Sequence, residues 1–232
     1  MGTNYNPQIV TSGLVLAIDA ANPKSYPGSG TIWTDLSTSK NNGTLANTPL
    51  YSSSNGSIVF SGYGGANNYI SLSNLPSTLP QLTVEVWVNL LYSGNQGVLY
   101  IIGQTNSAFR LMYGTNNFSW VCATANNAWY TANTTLSTSA LPVTGVWNHV
   151  VAVYDGTNNK CYVNGVLSGT SSGIASGNVS MSSLGGLNIM KTDAVNVDNG
   201  SGQLSIARIY STALTQEQVL QNFNATRGRY NL

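Results

Sequence analysis

The stretch Trp147-Asn148-His149-Val150-Val151-Ala152-Val153-Tyr154-Asp155-Gly156, followed by Lys160-Cys161-Tyr162-Val163-Asn164-Gly165-Val166-Leu167, decides the fold. Trp147, His149, Val151 and Val153 recur at a period of two, which puts them on one face of a strand. Asp155-Gly156 opens a short loop of Thr157-Asn158-Asn159, and Asn164-Gly165 sits between two apolar alternations. Asn-Gly in that setting is a strong hairpin signal, because a type I′ turn needs positive φ at both central residues. Three consecutive antiparallel strands are therefore predicted between residues 147 and 170.

The same period spreads in both directions. Leu82, Val84, Val86 and Val88 share one face of a strand over residues 82–89. Further strands are predicted over residues 14–18, 57–60, 68–72, 98–102, 109–113, 118–123, 187–190 and 203–210. One helix is predicted, near the carboxyl end. Thr215 is its N-cap, Gln218 completes a capping box, and Leu214 with Val219 forms a hydrophobic staple. Val219, Leu220 and Phe223 give this helix an apolar side, Gly228 ends it, and it is expected to cover a sheet face or edge. The Ser- and Gly-rich residues 168–186 read as a long loop, not a boundary. The expectation is one all-β domain over residues 9–232, a sandwich of two antiparallel sheets with a short C-terminal helix. Residues 1–8, which lack periodicity, would form an arm able to reach a neighbouring subunit.

Composition narrows the function. Only 6% of the chain is charged and the net charge is +1, against about 25% charged residues in an ordinary soluble domain. Asn, Ser, Thr and Gly instead supply 104 of the 232 residues. Nucleic-acid binding by phosphate neutralisation has little to work with, so no nucleic-acid partner is expected. With 42% hydrophobic residues, 13 Tyr and 5 Trp, the chain has too much to bury to be disordered. No apolar run approaches bilayer length, so no membrane partner is expected either. Met1-Gly2-Thr3-Asn4-Tyr5-Asn6-Pro7 has neither the basic nor the apolar region of a secretory signal. Cys122 and Cys161 each fall within a predicted strand. Two buried thiols is the favoured reading, ahead of an inter-strand disulfide and of metal or catalytic use.

The ordered motifs carry a resemblance. Trp147 to Gly156, followed by Tyr162-Val163-Asn164-Gly165, resembles the laminin G-like branch of the concanavalin A-like lectin and glucanase superfamily. Residues 82–89 are similar to that family's "fTvevWv" strand, and residues 203–214 with 215–223 to its closing strand and helix. The resemblance implies a concanavalin A-like jelly roll. Residues 9–30, with Asn42-Gly43-Thr44-Leu45, are similar to stand-alone members encoded by tailed bacteriophages as virion components. That implies a non-enzymatic structural protein of a phage virion, a capsid decoration (cement) protein or another exposed component. Its partners would be other virion proteins of capsid or tail, or further copies of itself. It would be assembled in the host cytoplasm and released by lysis without a signal peptide. The alternative is a carbohydrate-binding adhesin module on a phage tail or bacterial surface, with cell-surface glycans as partners.

Enzyme chemistry finds little support. Glucanases of the superfamily carry a Glu-x-Asp-x-x-Glu strand, and glycoside hydrolysis needs two carboxylates facing each other. This chain has only Glu85 and Glu217, in different elements and without acidic neighbours. His149, the only histidine, reads as structural. Many laminin G-like domains bind calcium, and Asp193 and Asp198, with Asn196 between them, offer oxygen ligands in one loop. A solvated loop is the favoured reading there, so no cofactor is expected and calcium is the one candidate. For glycans, Trp120, Trp129 and Tyr130 could stack on a sugar while Asn126 and Asn127 bond its hydroxyls. Set against that is core packing for Trp120 and an ordinary loop for the others.

Overall fold

The structure, a computed structural model, describes residues 8–61, 67–73, 75–91, 99–103, 109–114, 117–122, 136–137, 143–171, 177–181, 187–191 and 199–232. The first strands are β1 (Leu14–Asp19), β2 (Ile32–Trp33), β3 (Gly43–Ala46), β4 (Leu50–Ser52), β5 (Ser57–Ser61) and β6 (Tyr69–Leu72). Next come β7 (Thr78–Leu79), β8 (Leu82–Leu90), β9 (Leu99–Gly103), β10 (Phe109–Tyr113), β11 (Phe118–Cys122) and β12 (Leu136–Ser137). The series closes with β13 (Trp147–Tyr154), β14 (Asn159–Val163), β15 (Val166–Ser171), β16 (Val179–Ser180), β17 (Leu187–Ile189) and β18 (Ser201–Tyr210). Helix α1 (Gln216–Thr226) and a 3-10 turn (Arg227–Tyr230) follow.

Two antiparallel sheets face each other, as expected. The first, sheet A, runs β15-β14-β13-β8-β18-β5-β4, with β1 sharing one edge of β18 with β5. The second, sheet B, runs β12-β11-β10-β9-β17-β6-β3-β2. Strands β7 and β16 form a small separate pair. The predicted hairpins are present, with Val150 opposite Val163 and Val163 opposite Val166. Asn164 and Gly165 have φ of 52° and 79° at that turn, the left-handed values a type I′ turn demands. A Cβ on Gly165 would also lie 3.0 Å from the Phe223 ring, so helix and hairpin meet there.

The core lies between the sheets. Sheet A contributes Val84, Val86, Val88, Val150, Ala152 and Tyr154, all fully or almost fully buried. Sheet B contributes Ile70, Leu72, Leu111, Trp120 and Ile189. Cys122 and Cys161 enter this core from opposite sheets as free thiols. Burial pushes the Cys161 thiol up to about 12 and raises that of Cys122 as well. Asp35, also fully buried, ties the 35–41 loop to β1. Its carboxylate accepts from the backbone N–H groups of Ala17, Ser37 and Asn41 and from the Ser37 hydroxyl.

Sheet A is buried on its outer side too. Trp147, His149, Val151 and Val153, the periodic set of the opening stretch, point away from the core between the sheets and lie beneath the C-terminal segment. Helix α1 begins with the expected capping box, Thr215 accepting from the Gln218 N–H. Val219 is buried, but Leu220, expected on the apolar side, is 45% exposed. Asn222 takes the buried position instead, because the surface it meets is polar at that point. The helix continues into the 3-10 turn, so Gly228 does not end it cleanly. Tyr230 stacks on Trp87 at 4.0 Å between ring centroids, and Phe223 does so at 5.8 Å.

Beneath the helix sits a buried charge. The Glu85 carboxylate accepts from Arg208 Nη1, from His149 Nε2 at 3.0 Å and from Asn222 Nδ2 at 2.7 Å. Tyr210 donates its hydroxyl to the second carboxylate oxygen at 3.3 Å. Because a carboxylate only accepts, the His149 proton resides on Nε2. Asn222 Oδ1 in turn accepts from the Val10 N–H at 2.8 Å, and Gln221 Nε2 donates to the Gln8 carbonyl. Of the predicted arm, Gln8 is therefore tied to the helix, and residues 1–7 lie outside the described residues.

Burial alone would push the Glu85 carboxyl up, but the Arg208 charge, with His149 and Asn222, outweighs it and holds the group at about 2. Below its ordinary 4.5 the unfolded chain binds a proton that the folded chain does not. The stability Glu85 contributes is thus complete above that value and is lost as pH falls toward 2. Glu85→Gln, which leaves the Arg208 guanidinium buried without its charge partner, is expected to cost about 3–5 kcal/mol in urea unfolding at pH 7. It should also flatten the fall in stability between those two pH values. A thiol reagent should leave Cys122 and Cys161 unlabelled in native protein and label both in denaturant, since neither is accessible or ionised.

Candidate functional site

The buried Glu85 centre is not a catalytic site. Glu85 and His149 have no exposed side-chain surface, and His149 is packed between Trp87 and Phe223 at 4.9 and 5.5 Å between ring centroids. Glu217 lies exposed in the first turn of α1, so the two glutamates flank no common cleft.

Trp120, expected among the sugar-stacking residues, is a core residue. Alternation along β11 sends Phe118, Trp120 and Cys122 inward. The indole has no exposed surface, packs against Phe109, and donates its N–H to Asn159 Oδ1 at 2.8 Å. A ring without an open face cannot stack on a sugar. Asn126, Asn127, Trp129 and Tyr130 lie outside the described residues, as do Asp193, Asn196 and Asp198. Among the described residues no three His, Cys, Asp or Glu side chains converge as metal ligands.

The fold itself indicates where a ligand can lie. Among the described residues the C-terminal segment covers much of the outer face of sheet A, and the outer face of sheet B is partly open along β3 and β6. Leu45, Ile70, Leu72, Leu187 and Ile189 point into the core. Alternation therefore turns Thr44, Tyr69, Ser71 and Asn188 outward. Register aligns three of them, Thr44 opposite Ser71 and Ser71 opposite Asn188, in a row across three strands. Thr44 is exposed, Ser71 and Tyr69 are half-buried and Asn188 is buried. Beside the row, Lys191 places its ammonium 3.9 Å from the centre of the Tyr69 ring, a favourable cation–π distance.

Side-chain amides fix the loops at one end of this row. Asn47 Nδ2 donates to the Asn67 carbonyl at 3.0 Å, Asn199 Nδ2 donates to Asn67 Oδ1 at 3.1 Å, and Asn68 donates to the Asn47 carbonyl. Further along sheet B, Arg110 points outward from β10, while Met112 and Val121 form a buried apolar pair on the same face. The outward side chains named here thus comprise hydroxyls, an amide, an aromatic ring, two cations and an apolar pair, with no carboxylate among them. Such a surface can hydrogen-bond a polyhydroxylated ligand and meet an anionic one. It holds no acid–base pair for bond cleavage.

No curated protein matches the chain. Solved structures of similar fold include the botulinum neurotoxin serotype D ligand-binding domain in complex with N-acetylneuraminic acid. It is 12% identical with a TM-score of 0.70, over 92% of this chain and 51% of that one. This chain spans about half the length of that structure, of the binding domain of botulinum neurotoxin DC and of the binding domain of Paraclostridial Mosquitocidal Protein 1, with coverage of 51–52%. Domain 4 of an extracellular GH43 arabinanase from Geobacillus stearothermophilus, in complex with arabinotriose, is 18% identical with a TM-score of 0.63, over 92% of this chain and 99% of that one. A putative carbohydrate-binding protein from Bacteroides ovatus is 21% identical with a TM-score of 0.55, over 67% of this chain and 44% of that one. A family model matches residues 63–220, from before β6 into helix α1. By that match, and by two facing antiparallel sheets closed with a short helix, the chain belongs to the concanavalin A-like lectin/glucanases superfamily.

Proposed function

We propose that this protein is a non-catalytic carbohydrate-binding module whose ligand lies on the outer face of sheet B. The observation that carries this reading is the Thr44-Ser71-Asn188 row beside Tyr69 and Lys191, exposed or half-buried at Thr44, Ser71 and Tyr69. The hydroxyls and the amide bond sugar hydroxyls, the Tyr69 ring offers an apolar contact, and Lys191 favours ligands bearing a carboxylate. The arabinanase domain supports the reading, because it shares this fold along nearly its whole length and is seen with an oligosaccharide. The toxin domains support it less, since this chain spans only half of each. As setting we propose the outside of a phage particle, with the module acting as an adhesin and not as cement. Support for that comes from a surface poor in charge and rich in Asn, Ser and Thr, together with the amino-terminal resemblance.

Calorimetric titration with arabinotriose and with N-acetylneuraminic acid tests the reading. At least one should bind with a Kd below ~10 mM, and Tyr69→Ala should weaken it about tenfold, a loss of ~1.4 kcal/mol. Lys191→Ala should weaken the acidic sugar more than the neutral one. An absence of heat with both sugars and across a wider glycan panel would remove the proposal.

A further inference from the structure

A second recess opens away from the sheet B face, between the turn at residues 26–31 and the segment entering β4. It encloses about 340 Å³, near the lower end of ligand pockets. Tyr26, at its base, is 4% exposed and braces the turn by donating its hydroxyl to the Gly30 carbonyl at 2.9 Å. Tyr51 leans on Tyr26 with ring centroids 5.5 Å apart and planes tilted by 54°. Tyr51 is half-buried, so this contact holds a ring that still borders the recess.

Two glycines shape the turn beside that ring. Gly28 and Gly30 both have a φ of 92°, which side-chain-bearing residues rarely adopt. A Cβ on Gly28 would come within 3.4 Å of the Tyr51 ring, and one on Gly30 would meet nothing within 4 Å. The wall opposite Tyr51 is therefore bare backbone. Ser29, Thr31 and Thr48 line the recess together with the apolar Leu45, Pro49 and Leu50, and no charged residue lines it.

We propose that this recess is a second carbohydrate site, taking one neutral monosaccharide residue with its apolar C–H face against Tyr51 and its hydroxyls toward Ser29, Thr31 and Thr48. The ligand class rests on the sugar-binding reading above, but the location is independent of it. Size limits the occupant to one or two rings. Lack of charge separates it from the sheet B face, where Lys191 and Arg110 stand. A tyrosine ring among hydroxyls and glycine backbone suits a molecule with one apolar face and a polar perimeter, which describes a pyranose or furanose ring.

The full chain can be titrated by NMR with the methyl glycosides of glucose, galactose, mannose and arabinose. A neutral glycoside should bind in wild type and lose at least about tenfold in affinity in Tyr51→Ala, while Tyr51→Phe stays within about threefold. Ser29→Trp, at an exposed position, should fill the recess and give the same loss without touching the core. Sugar-induced shifts of the Ser29, Thr31 and Thr48 amides, which line the recess, should persist in Tyr69→Ala even where binding at the sheet B face is weakened. Neutral-sugar binding that survives both Tyr51→Ala and Ser29→Trp but disappears in Tyr69→Ala would overturn the second site while sparing the sheet B reading. Failure of every glycan to bind would overturn both.

Discussion

A single carboxylate, buried on the outer side of sheet A, organises how the C-terminal segment closes the molecule. Glu85 has no access to water, so its charge must be met within the protein, and Arg208 on the neighbouring strand meets it. Its remaining lone pairs are directional. Asn222 reaches one of them from the helix, while His149 and Tyr210 approach from the sheet. An aliphatic contact would let α1 slide or rotate, but this arrangement fixes one helical position. The Trp87–Phe223–Tyr230 stack and the Val10–Asn222 bond take their register from it. Arg229, paired with Asp19 of β1 through both carboxylate oxygens, fastens the far end of the segment.

Much of the architecture was legible because long central strands carry strong patterns. The strands from Leu82 and from Trp147 and the capped helix appear where the sequence puts them. Their facing was less legible. Trp147, His149, Val151 and Val153 form a clean period-two set, yet the alternate residues Val150, Ala152 and Tyr154 are just as apolar and occupy the main core. Periodicity cannot distinguish a strand buried on both sides from one with a single core face. A usable signal was present in Glu85 and Arg208, opposite charges each set within an otherwise apolar strand. Neither can be buried alone, so the pair implied both adjacency and a cover. The short strands β2, β3 and β7 escaped because their runs of two to four residues show little period to read, although β6 and β17, equally short, were legible.

The candidate site was harder to see than the fold. Trp120 drew attention as an aromatic beside an Asn-rich loop, but aromaticity says nothing about exposure, and its strand parity turned it inward. Thr44, Ser71 and Asn188 are commonplace residues in a chain full of Thr, Ser and Asn. Only the pairing of β3 with β6 and of β6 with β17 lines them up, and such long-range register is absent from local sequence. Tyr51 was hidden for the same reason, since its place depends on the glycine turn some twenty residues upstream.

Low charge bears on the ligand class proposed above. Asp19, Glu85 and Asp155 are engaged by Arg229, Arg208 and Lys160, and Asp35 by backbone N–H groups. The carboxylates among these residues thus hold the fold together and are not presented to a partner. Hydroxyls, amides and aromatic edges remain for recognition, groups that match sugars and give modest energy per contact. Without charge to steer encounters, a single site of this kind binds weakly. Under the proposed function, useful strength would come from repetition of sites, where an effective local concentration replaces intrinsic affinity. An inert, nearly neutral sandwich suits such repetition, because copies crowded on a surface neither repel one another nor attract stray polyelectrolytes.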